Sequence, residues 1–202
     1  MKIFLVLGFA TLVANCTCSN QKEVQTNDPF ALLPVEDLER MLAQPHIFID
    51  TPSHGLYTNH GRYLGSSGNY VLDGVNGCTA VVIYAVNNTS SEMAVSHFDA
   101  SSLKAQAQFW QTIIHDHPGL QGSDGTFVTI FYALVDHYYE ETLKELTFSK
   151  SSLQRDIGTN VHFRFMPYEM TPPSPGGQPS LQIDVASGKM VSEWHGSIMT
   201  RF

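Results

Sequence analysis

The chain has 202 residues, with 11 Lys and Arg against 19 Asp and Glu, a formal net charge of −8. That acidity argues against nucleic acid as the main partner, because phosphate binding needs a net basic face. Apolar residues make up 43% and charged ones 15%, the composition of a globular chain whose length forms a single domain.

Met1 and Lys2 supply a short positive start, and residues 3–14 are an uncharged apolar run, well below the ~20 residues that span a bilayer. Residues 1–18 therefore read as a secretory signal peptide, cut after Cys16 or Cys18. Val13-Ala14-Asn15-Cys16 also resembles a bacterial lipobox, which would put a lipid anchor at Cys16. A polar tether, 19–33, leads to one domain, 34–202. With the leader set aside, Cys78 is the lone cysteine of that domain, either inert and buried or reactive.

Pro34 followed by VEDLERMLAQ, acids early and Arg40 late, has the order of a short helix. Residues 46–50 alternate as a strand, and a Gly-rich connection carrying His54 and His60 follows. Residues 79–86 (TAVVIYAV) form an almost continuous apolar and β-branched run, a buried strand. Asn87-Asn88-Thr89-Ser90 is its hairpin turn, and 92–98 the return strand, with Met93, Val95 and His97 on one face.

Ser101 is placed to cap a helix reaching His117, with Leu103, Ala107, Trp110 and Ile114 on one face. Residues 126–135 give a second central strand, 137–148 a second helix, and 160–168, 180–186 and 190–194 three more strands. Strands outnumber helices and hairpins link them. The expected class is α+β: a layered, mostly antiparallel, β-sandwich-like core with two to three flanking helices.

Cys78 stands between Gly74-Val75-Asn76-Gly77 and the first central strand. The glycines permit a tight turn that presents the thiol at a strand edge near free backbone N–H groups, and Gly77 leaves room for a substrate carbonyl. If the hairpin pairs its strands, the start of one lies beside the end of the other, which brings Cys78 near His97. A thiol and an imidazole within reach form the minimal cysteine catalytic pair. His115-Asp116-His117 has metal-ligand residue types, but i and i+2 face apart on a helix, so neither metal nor cofactor is expected. Asp136-His137 lies at a strand end, and Phe109-Trp110 reads as core.

Gly-Cys at a strand start, an apolar strand, a turn, Met93-Ala94-Val95-Ser96-His97-Phe98, an amphipathic helix and a buried strand together resemble the chemotaxis glutamine deamidase CheD. The run Ile183-Asp184-Val185-Ala186-Ser187-Gly188-Lys189-Met190-Val191 is similar to that family's C-terminal aspartate and hairpin. The same Cys-His core occurs in toxins of the cytotoxic necrotizing factor type. The resemblance spans residues 70–194. It implies Cys78 as nucleophile, His97 as base, and conversion of a protein glutamine to glutamate with release of ammonia. One departure stands out: the family's threonine just before the cysteine is replaced here by Val71, Leu72 and Asp73. The third member or oxyanion support then falls among Asp73, Asn76, Gly77, Thr79 or a main-chain carbonyl.

The expectation is thus an exported, secreted or periplasmic deamidase, of the kind that serves as a virulence effector or toxin, whose partner is a protein with an accessible glutamine. Two rivals use the same residues: a tethered or periplasmic binding domain with a structural Cys78, and a cysteine peptidase or transglutaminase.

Overall fold

The run beginning at Thr79 becomes a strand, Thr79–Asn87, whose first seven residues are buried. Ala80, Val82 and Tyr84 enter one apolar cluster, while Val81 and Ile83 enter another. A strand covered on both faces needs apolar residues at every position, which is why the period-2 alternation is missing here. The rest of the molecule is arranged around it.

The computed structural model describes residues 35–45, 47–49, 60–99, 102–134, 139–169, 179–194 and 197–201. In chain order the elements are α1 (Val35–Ala43), β1 (Ile47–Ile49), β2 (His60–Gly65), β3 (Asn69–Leu72), β4 (Thr79–Asn87), β5 (Ser90–Phe98), α2 (Leu103–Asp116), β6 (Gly125–Leu134), α3 (Tyr139–Ile157), β7 (Val161–Glu169), β8 (Ser180–Asp184), β9 (Lys189–Trp194) and β10 (Ser197–Arg201). They build two five-stranded sheets, ordered β1-β3-β8-β9-β10 and β2-β5-β4-β6-β7. Pairing is antiparallel except for β1 with β3 and β6 with β7. The second exception follows from topology, since β6 and β7 are joined through α3 and a crossover helix returns the chain in the same direction.

The layers follow from the clusters. Leu72, Leu181, Ile183 and Met190 of the first sheet pack with Val82, Met93, Val95 and Phe131 of the second. The opposite face of the second sheet is covered by Trp110 and Ile114 of α2 and by Leu153 and Ile157 of α3. Leu38 and Met41 of α1 meet Val191 on the first sheet. The class is therefore α+β with a layered sheet core. No helix among the described residues is long and apolar enough to cross a membrane.

Several boundaries differ from the sequence reading. The Gly-rich connection contains β2 and β3, which lie in different sheets. Gly61 sits in β2 because a Cβ there would strike the Phe109 ring, so helix α2 approaches the strand through the glycine. On α2 the N-cap is Ser102, whose hydroxyl donates to Asp99 Oδ1 at 2.9 Å; Ser101 lies outside the described residues. The buried face of α2 is Gln106, Trp110 and Ile114, with Leu103 and Ala107 only half-buried. Gln106 is tolerated inside because Ser149 Oγ donates to its Oε1. The second helix runs nine residues past 148, since buried Leu153 and Ile157, one turn apart, hold its Ser-rich end against the sheet. The leader, the tether and Cys16 lie outside the described residues.

Candidate functional site

Val75, Asn76, Gly77 and Cys78 form a closed turn, in which Cys78 N–H donates to Val75 O at 3.0 Å. Gly77 has φ +85°. A bond from the fourth residue to the first, with positive φ at the third, is the type II geometry that selects glycine there. The turn is fixed from two sides. Val75 N–H donates to Pro179 O at 3.1 Å, and the Tyr168 hydroxyl from β7 lies against the carbonyl oxygens of Val75 and Cys78, the latter at 2.6 Å. The amide of Cys78 is thereby engaged within the turn, so it is not the free N–H expected for an oxyanion.

The β4–β5 ladder pairs Thr79 with Phe98 and Ala80 with His97. Cys78 and Asp99 therefore leave the ladder side by side at the same end. In a regular ladder, Cys78 would be a diagonal neighbour of His97, a relation that spans about 7–8 Å. On its other side His97 pairs with His60 of β2. The hairpin thus brings Cys78 and His97 to one sheet end, as its two-residue turn dictates. Cys78 is half-buried, whereas His97 is 1% exposed. The thiol is thus partly open to solvent, while the imidazole lies inside.

The charges near the thiol are acidic. Burial pushes the Cys78 thiol up to about 11, and the charges of Asp99 and then Glu145 push the same way. Glu145, on α3, is 3% exposed. Burial raises its carboxyl to about 7, a hydrogen bond with Thr79 works against the shift, and the Asp99 charge adds to it. Tyr168 is also raised, first by burial and then by the charge of Cys78. At neutral pH Cys78 is a thiol, so a reaction at its sulfur would have to remove the proton in the same step.

The proposed supporting residues divide. Asp73 is exposed, and its Oδ1 accepts from Gly74 N–H at 2.8 Å, so the carboxylate stabilises its own loop. Asn76 and Gly77 form the two corners of the turn. Thr79 is 3% exposed and bonded to Glu145. Its hydroxyl is therefore engaged by Glu145 and is not free to support a substrate carbonyl.

Three residues were not singled out in the sequence: Asp99, Glu145 and Tyr168. Asp99 stands two positions after His97, and Ser102 bonds to it through both its amide and its hydroxyl. Glu145, Ser149, Ser152 and Leu153 are buried at helical spacing on α3, a signal available once the phase of that helix is set by Leu153.

Elsewhere, His115 is exposed with its Nδ1 3.0 Å from Asp116 Oδ1. His117 instead stacks on Tyr63, with ring centroids 3.6 Å apart. Among the described residues, no group of three His, Cys, Asp or Glu is arranged to hold a metal. Phe109 and Trp110 meet edge-on, and Trp110 is fully buried in the helix-side cluster. A separate cleft of about 340 Å³ is lined by Arg40, Gln44, Asp184 and Lys189. His54, Asp136 and His137 lie outside the described residues. No family model matches the chain, and no curated protein does.

Proposed function

We propose that the protein is an exported cysteine amidohydrolase that converts glutamine to glutamate in a partner protein. The observation that carries this reading is the placement of Cys78, on a Gly-cornered turn, at the same sheet end as His97. In this mechanism His97 takes the thiol proton as sulfur attacks the carboxamide carbon. The tetrahedral intermediate collapses with cleavage of the C–N bond, and His97 returns the proton to the departing ammonia. Water, deprotonated by His97, then attacks the thioester, releasing glutamate and restoring the thiol. For the third position Asp73 is occupied locally and Thr79 is bonded to Glu145, which leaves Asn76 and the main chain.

One observation favours a second reading, a binding domain in which Cys78 is structural: the thiol is half-buried and its pKa is raised. The two readings separate in one experiment. Candidate partner lysates are incubated with wild type and with His97→Ala, and peptides are searched for a gain of about one mass unit at glutamine. The deamidase reading expects the gain with wild type only and an uncut backbone. Cleaved backbones indicate a peptidase and amine incorporation a transglutaminase. Unchanged peptides across wide coverage leave the binding domain.

A further inference from the structure

The acidic surroundings of Cys78 are poor for a nucleophile acting alone. Cys78 and Asp99 leave the β4–β5 ladder at the same end, and Glu145 of α3 reaches that end through its bond to Thr79. Asp99 is held by the hydroxyl of Ser102 at 2.9 Å. Glu145 is 3% exposed, and its Oε1 is buried with no hydrogen-bond partner among the described residues. Leaving such an oxygen unsatisfied is costly, and more so when it is charged. A group that donates to it would relieve that penalty.

We propose that the substrate supplies an organic cation, an ammonium or guanidinium group, that docks against Glu145 and Asp99 beside the carbonyl attacked by Cys78. The inference rests on the reading of Cys78 as a nucleophile and names the substrate class: a protein segment with a lysine or arginine side chain close to its target carboxamide. Such a group donates to the buried Oε1 and offsets the two charges that, after burial, hold the thiol in its protonated form. Cys78 is then activated mainly when the right substrate is bound. The resting thiol is protected from adventitious oxidants and alkylating agents.

Methanethiosulfonate reagents test this without knowledge of the target. The thiolate attacks the reagent's sulfenyl sulfur, forming a mixed disulfide on Cys78 and expelling methanesulfinate. Rates are measured at pH 8 for the aminoethyl (cationic), methyl (neutral) and sulfonatoethyl (anionic) reagents, on the folded protein and on the urea-unfolded chain. The folded protein is expected to favour the cationic over the anionic reagent at least about ten-fold more than the unfolded chain does. Glu145→Gln and Asp99→Asn should each reduce that preference several-fold, and the second variant keeps the test intact if the first does not fold. A folded preference equal to the unfolded one, or one unchanged in the folded variants, overturns the proposal. So does failure of all three reagents to reach folded Cys78, because a closed site admits no cation. A cation preference without glutamate formation in the lysate search would retain the cation site and remove the deamidase reading. Deamidation without a cation preference would do the reverse.

Discussion

A carboxyl buried beside a second acid leaves a thermodynamic trace. Glu145 holds its proton up to about pH 7 in the folded protein, against 4.5 for the ordinary carboxyl. Between those values the folded state binds more protons than the unfolded chain, so stability falls as pH rises through that window. The full effect is about 3 kcal/mol. Glu145→Gln should therefore be more stable than wild type by about 1–3 kcal/mol at pH 8 and close to it at pH 5, as read by urea unfolding at both pH values. A second residue-scale expectation concerns the turn. Gly77→Ala forces an L side chain to φ +85°, which should lower stability by about 1 kcal/mol or more and slow Cys78 chemistry by moving the thiol. That Cys78 and His97 share one sheet end was legible because a strand alternates with period two and a hairpin fixes which ends meet. Glu145 was hidden, since a glutamate on a helix normally marks the solvent side and only the course of α3 beyond residue 148 shows that this one is turned inward.

At the scale of elements, α2 and α3 are held to the second sheet chiefly by Trp110, Ile114, Leu153 and Ile157. Leu153 is fully buried, and Leu153→Ala should cost about 2–5 kcal/mol, measured as a lower denaturation midpoint. Because Glu145 rides on the same helix, that variant should also alter Cys78 alkylation rates, which a core change remote from the site would leave alone. The β4–β5 hairpin, α1, α2 and β6 were readable from their periodicity and stop signals. By contrast, β2 and β3 were hidden by the glycines within the first and flanking the second. Gly61 is required by the close approach of Phe109, and Ser66-Ser67-Gly68 turns the chain from one sheet to the other. Tertiary contact, which a local pattern does not display, decided both strands.

At the scale of the whole molecule, two sheets share one apolar cluster while helices cover their outer faces. This arrangement leaves the ends of the strands as the places where polar chemistry gathers, and Cys78, Asp99 and Glu145 meet at one such end. If the proposed export holds, the mature protein starts after Cys16 or Cys18, or at a lipidated Cys16; intact mass of protein from its native host should then show one of these forms, and a retained Met1 would remove the export reading. The most direct test of the central claim, that Cys78 is the nucleophile, uses a glutamine peptide found by the lysate search. Wild type is mixed with that peptide, quenched in acid and digested, and the Cys78 fragment is weighed. The account predicts a Cys78 adduct of the peptide less ammonia, removable by hydroxylamine as a thioester is, and no glutamate formation by Cys78→Ser. Glutamate formed by Cys78→Ser, or accumulating in wild type while Cys78 stays unmodified at every quench time, would contradict it.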